Sequence, residues 1–485
     1  MSDSSNSHSS IKAPKIGVVS NSIGAFSSRG KEAAESQIRS LLDELKQGRL
    51  VSDDSFVCPQ RIFGPHEAAA VADRFAAEQV DAYVVLDSGF PNGNAFLTLA
   101  IHPYLSGLPL ILTAPPEIDL GDREWTTNAY CGLIMNNYVS KQIGRPVFTL
   151  AGWPQDPAYQ QQFRRLMSVV LTIREQRRDL LGRFGDAPGG FHCANGNRLA
   201  YARLLGTRIE TVDFSAVLRT FEMGRASGEL GDVAFAQEDV DQTCARMIEG
   251  LTLQTTVEKV RKSARLYHAF KALIEAHGFT SAAFRCWPEI MQIQNMAACL
   301  SIGWLLSERV VRAAACEGDW PTAVCQSIGS LLSGQPAACL DFINQVGAQR
   351  VVQLAHCGVG IPCLMEDAQI GEISPDRQSG ASIGPTCIGQ FCYGVKTGIG
   401  MIQDSDGRFK MLVFTGESRP DTRQNLLVAA ADVEVARPAK LNRLILEHGF
   451  AHHLAVAVGD ISQELKSLCD FYGIEYVNPD DEQDA

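Results

Sequence analysis

A chain of 485 residues is too long for one ordinary hydrophobic core, so about two to four domains are expected. Its hydrophobic (45%) and charged (20%) fractions are those of a globular protein, and a net charge of −12 without a long basic run argues against nucleic acid or an anionic membrane as partner. The 14 cysteines are scattered without C-x-x-C spacing, which points to buried thiols in a reducing compartment and away from a zinc ribbon.

Residues 1–13 are polar and Ser-rich, lack a secretory pattern and read as a disordered tail. No stretch has the apolar length of a membrane span, so a cytoplasmic location is expected. From Lys15 onward, short apolar runs ("KIGVVS", "VDAYVVLDSG", "PLILTAP", "RPVFTLAG") alternate with helical ones ("GKEAAESQIRSLLDELKQG", "HEAAAVADRFAAEQ"). That texture predicts a doubly wound parallel α/β domain over 14–172. No G-x-G-x-x-G follows its first strand, so a dinucleotide is not implied. The loop Ser88–Asn94 at a strand's carboxyl end is either a ligand loop or a plain turn into a helix.

A long helix leads from "DPAYQQQF" into a region, 173–346, where helices again alternate with short strands: "RIETVDF", "SAAFRC", "VRAAACEG" and "AACLDFI". A second parallel-sheet α/β domain is expected there, carrying Glu317 and Asp341. Residues 347–485 change texture. A Gly/Ser/Thr-rich stretch precedes two apolar runs joined by Asp404-Ser405-Asp406-Gly407, a hairpin signal. The fold class predicted is thus two doubly wound α/β domains followed by a β-rich, antiparallel, barrel-like C-terminal domain with His356 and His453.

Chemistry concentrates at the ends of apolar runs. In "ACEGDWP", Asp319 precedes Trp320-Pro321 and a helical stretch, the pattern of a helix N-cap. Glu317 has no such structural role and reads either as a solvated loop residue or as part of a site. Asp341 ends "PAACLD", His356 ends "RVVQLAH", and His452-His453 opens "HHLAVAV". Carboxylates with imidazoles suit a divalent ion, Mn2+ first and Zn2+ or Co2+ as substitutes. Taken singly, each histidine is as readily a satisfied core residue. In "FRCWPEI", Arg285, Cys286, Trp287 and Glu289 cluster at another strand end, where an aromatic face and a carboxylate can grip a polyol or simply start a helix.

In order, "RCWPE", "CEGDW", "CLDF", "AHCG" and "AHHLAV" resemble the L-fucose isomerase / L-arabinose isomerase family of ketol isomerases, over nearly the whole chain. The resemblance implies a homo-oligomeric, Mn2+-dependent aldose–ketose isomerase with active sites near subunit interfaces. It makes Glu317 and Asp341 the catalytic carboxylates and metal ligands, with His356 and His453 completing the metal set. Trp287, Glu289, Cys286, Arg285 and His452 then fall to the sugar, Arg285 being the candidate partner for an acidic or sulfonated one. Asp319 keeps its cap and orients Glu317. A neighbour's N-terminal domain would close the site, with Phe26 or Asn92 reaching the sugar. Asp341 is similar to the fucose branch and His356 to the arabinose branch, which leaves L-fucose, D-arabinose, L-arabinose or a modified hexose as the sugar. The alternatives are a sugar-binding or sensing protein and a metal-dependent aldolase or hydrolase.

Overall fold

The computed structural model describes residues 11–25, 28–117, 127–346, 350–357, 359–373, 383–423 and 428–481. The expected tail (apart from residues 11–13), Phe26 and part of the Gly/Ser-rich stretch lie outside them. The chain divides into two compact units: Met1–Glu175 with Asp470–Tyr472, and Gln176–Cys469 with Gly473–Ala485.

The first unit is built on β1 (Ile16–Asn21), β2 (Phe56–Val57), β3 (Ala82–Asp87), β4 (Leu110–Ala114) and β5 (Phe148–Ala151). They pair in parallel in the order β2-β1-β3-β4-β5. Every residue of β1, β3 and β4 is buried, because helices cover both faces and leave no polar side for alternation. Asn92 accepts from the backbone N–H groups of Asn94 and Ala95 and caps the helix Gly93–Ile101, which accounts for it locally.

The second unit contains two larger sheets. Strands β6 (Leu180–Phe184), β7 (Arg208–Val212), β11 (Ser281–Phe284) and β12 (Ala314–Ala315) form a four-stranded parallel sheet in the order β12-β11-β6-β7. Its interior includes Phe184 stacked on Phe284 at 4.9 Å. Between them in the chain lie the hairpin β8 (Arg225–Gly228) and β9 (Gly231–Ala234) and the short β10 (Thr252–Leu253).

The larger sheet uses β10, β13 (Ala338–Val346), β14 (Val351–His356), β15 (Gln369–Ile373), β16 (Ile383–Gln390), β17 (Gly394–Gln403), β18 (Phe409–Ser418), β19 (Ala429–Ala430), β20 (Val433–Val435), β21 (His453–Val458) and β22 (Glu475–Val477). Within it the antiparallel path β14-β13-β21-β17-β18-β20 closes on itself, because β20 pairs with both β18 and β14. Closure removes two sheet edges and gives the barrel expected of the C-terminal region. The hairpin at Asp404–Gly407 joins β17 to β18 as its turn residues predict.

One assignment differs from the sequence reading in detail. Asp341 stands inside β13, paired across to His453 on β21 and Ala355 on β14, so it projects from a barrel strand and not from the parallel sheet. Hydrophobic pattern marks a strand but not its partners. Among the described residues no helix is long and apolar enough to cross a membrane.

Candidate metal centre and active site

Glu317 follows β12 at a sharp turn. It and Gly318 both take left-handed backbone angles, φ +58° and +64°. For a non-glycine residue this costs about 1 kcal/mol, and such strain gathers at functional sites. Gly318 has a further reason to be glycine: a Cβ there would meet the backbone of Asp186 and Ala187 at 3.2 Å. The turn is fixed by Gly318 N–H donating to Phe284 O at 2.9 Å, and the Trp287 indole Nε1–H donates to Glu317 Oε1 at 2.9 Å.

Asp319 begins the helix Trp320–Ser333 and is wholly buried. Oδ1 accepts from Thr322 N–H at 2.9 Å, as an N-cap should. Oδ2 takes the Thr322 hydroxyl at 2.8 Å and His453 Nδ1 at 2.8 Å. The carboxylate therefore serves His453 and not Glu317, correcting the expectation above. An ionised carboxylate is acceptor-only, so Nδ1 carries the proton and Nε2 is turned to the other side of the ring. There it lies 3.1 Å from Asp341 Oδ1 and 3.5 Å from Glu317 Oε2.

His356, at the end of β14, is buried with its ring centroid 5.5 Å from that of His453. Three buried atoms here, Glu317 Oε2, Asp341 Oδ1 and His356 Nε2, have no aligned hydrogen-bond partner among the described residues. Orphaned buried polar atoms are costly unless something else satisfies them. The ligand atoms of Glu317, His356 and His453 lie within 4.8 Å of one another, as do those of Asp341, His452 and His453. The two groups share His453, and each joins one carboxylate to two imidazoles, a donor set that fits a divalent cation.

Burial alone would pull the His453 pKa down, but the Asp319 carboxylate bonded to it and the Asp341 carboxylate 3.1 Å away push it up to about 11. Burial acts to raise Asp341, yet the histidines beside it, His453 foremost, hold it below the usual carboxylate range. The metal-free centre thus keeps a proton on His453 Nε2, where a cation would compete for the same lone pair. Binding one divalent ion near neutral pH is expected to release close to one proton, with affinity rising about tenfold per pH unit up to about pH 11. Calorimetry in buffers of different ionisation enthalpy reads this directly, and binding without proton release contradicts it. Because the folded-state pKa is raised, the same pairing stabilises the metal-free fold fully below pH 6.5 and is lost as pH climbs through about 11.

Beside the centre, Phe191 packs edge-on against Trp287 at 5.4 Å and against His452 at 6.3 Å. A cavity of about 410 Å³ opens next to His452 and His453, lined by Asn195, Asn197, Tyr201 and Gln403 among others. The structure therefore brings Glu317, Asp341, His356, His452, His453 and Trp287 together. Of these, His452 and His453 line the cavity, and Arg285, Cys286 and Glu289 do not. Arg285 and Glu289 clasp each other through two contacts of 2.5 Å, and Arg285 also donates to the carbonyls of Asp186 and Ala187. Cys286 is buried and points at Cys316. Phe191 and the amide-bearing loop 195–197 are not among the residues the sequence singles out, since neither carries a motif of its own.

No protein-family model matches the chain. Among curated proteins it is similar to "Sulfoquinovose isomerase" of Alkalicoccus urumqiensis, 24% identical over 405 residues, covering 82% of this chain and 86% of that protein. The protein of the same name from Priestia megaterium is 22% identical over 420 residues, 85% of this chain and 89% of its own. That from Clostridium sp. (strain MSTE9) is 27% identical over 275 residues, covering 54% and 59%. By this similarity the chain is an enzyme, an aldose–ketose isomerase.

Proposed function

We propose that the protein isomerises a 6-sulfonated aldohexose of the sulfoquinovose type to its ketose, with Glu317, Asp341, His356 and His453 holding a divalent cation, Mn2+ foremost. What supports the metal reading is that two carboxylate–imidazole groups, Glu317 with His356 and Asp341 with His452, meet at His453, and that Glu317 Oε2, Asp341 Oδ1 and His356 Nε2 are buried without an aligned partner among the described residues. The sugar is supported by the names of the relatives.

Aldose–ketose conversion moves a proton from C2 to C1 while negative charge grows on O1 and O2. A bound divalent cation supplies Lewis-acid stabilisation of that charge. The chain's own groups do the rest. Trp287 pins Glu317 Oε1 and leaves Oε2 directed at the centre. Asp341 Oδ1 and Glu317 Oε2 face the same His453 nitrogen, so one carboxylate can take the carbon-bound proton while the other serves the hydroxyl. Asp319 fixes the tautomer and plane of His453. Trp287 and Phe191 offer aromatic surface to the C–H faces of the ring, and the amides of Asn195, Asn197 and Gln403 line the adjoining cavity. Arg285, committed to Glu289, is not the sulfonate's partner in this arrangement.

Initial rates with sulfoquinovose, D-glucose, L-fucose and L-arabinose test the substrate. Sulfoquinovose is expected to exceed the other three sugars in kcat/KM by at least about tenfold. L-Fucose or L-arabinose turning over faster would overturn the sugar assignment. The resemblance also implies homo-oligomers, which we carry as part of this proposal.

A further inference from the structure

Two buried cysteines beside the carboxylate centre, Cys286 and Cys316, have no part in the chemistry above. Cys286 and Cys316 sit just past the carboxyl ends of the adjacent strands β11 and β12, which pair in parallel through Ala283 and Ala315. Both are buried, and their sulfurs are 2.8 Å apart.

Position gives this pair its consequence. Trp287 follows Cys286, Glu317 follows Cys316, and the two are joined by the 2.9 Å bond from the indole to the carboxylate. Each end of that bond is therefore one residue from a cysteine. A disulfide has an S–S distance of about 2.05 Å and suits neighbouring strand ends, so less than about one ångström of approach closes it. Misplacement on that scale at a reacting group costs up to about a hundredfold in rate.

We propose that Cys286 and Cys316 are an oxidative modification site, at which a hydroperoxide converts the two thiols to a disulfide that displaces Glu317 and disables the centre. One thiol sulfur takes an oxygen from the peroxide, giving a sulfenic acid and one water (or the alcohol, for an organic hydroperoxide). The second thiol displaces that oxygen as a further water, forming the S–S bond. Two thiols lose two hydrogens and two electrons, and the peroxide is reduced by the same two electrons.

The effect on Glu317 rests on the metal reading above, whereas the disulfide does not. The full-length protein is treated with hydrogen peroxide, its peptides are mapped by mass spectrometry without reduction, and Mn2+ affinity is measured before treatment, after it, and after dithiothreitol. The expected result is a linked peptide pair containing Cys286 and Cys316, with Mn2+ affinity about tenfold weaker and restored by reduction. Cys316→Ala is expected to keep its Mn2+ affinity through the same treatment. Absence of the linked peptides from the unaltered protein, or an equal loss in C316A, overturns the proposal. A protein that binds no Mn2+ before oxidation counts against the metal reading and the predicted effect on Glu317, and the peptide map still decides the disulfide.

Discussion

Replacing Glu317 with glutamine is expected to lower kcat by at least about a thousandfold while the melting temperature stays within a few degrees. Glutamine keeps the length of the side chain and can still accept the Trp287 indole bond on its amide oxygen. What it loses is the negative charge at Oε2, an atom with no aligned donor among the described residues. Removing a buried charge of that kind relieves as much as it costs, so the fold should be indifferent. Ketose formation at saturating substrate and a circular-dichroism melt separate the two effects. Activity within tenfold of the parent would remove Glu317 from the chemistry.

Asp319→Ala is expected to cost roughly 3 kcal/mol of stability and to weaken Mn2+ binding by about ten- to a hundredfold. A lost N-cap accounts for only about 1 kcal/mol of that. The remainder comes from His453 and Thr322, whose polar atoms would be buried beside an alanine. Asp319→Asn has one oxygen for two acceptor positions; it can still cap the helix but turns an amide NH2 toward His453 Nδ1, so it should recover only the roughly 1 kcal/mol of the cap and leave Mn2+ binding weakened. Urea unfolding and a metal titration provide the two readouts. A loss near 1 kcal/mol with unchanged Mn2+ affinity would reduce Asp319 to the helix cap its sequence context suggests.

Asp319 also shows where sequence reading stops. "D-W-P" before a helical run announces the cap because capping is local, but the partner of its other oxygen lies 134 positions away in the chain. The same limit applies to Asp341. Its apolar neighbours mark a strand, while pairing with β14 and β21 is decided by distant residues. Closure of the barrel through β20, a strand of three residues, has no local signature at all. The parallel sheets were legible because continuous apolar runs between helices leave few other arrangements.

At the centre, Glu317, Asp341, His356 and His453 were each weak alone and informative in order, and the structure gathers them. Arg285 and Glu289 are the instructive contrast. Their spacing of four along the segment "RCWPE" was itself a sign of a mutual ion pair, and that is what they form. Cys286 looked like a neighbour of the sugar because it adjoins Trp287, yet successive residues past a strand end point in different directions, and its thiol faces the core.

The most direct test of the central claim is proton NMR of sulfoquinovose in D2O with Mn2+-loaded protein, chelator-stripped protein and the Glu317→Gln variant in parallel. Loss of the C2 proton signal with ketose appearing is expected in the Mn2+-loaded sample alone. Equal exchange in the stripped protein or in the variant would contradict it, as would no exchange in the loaded sample.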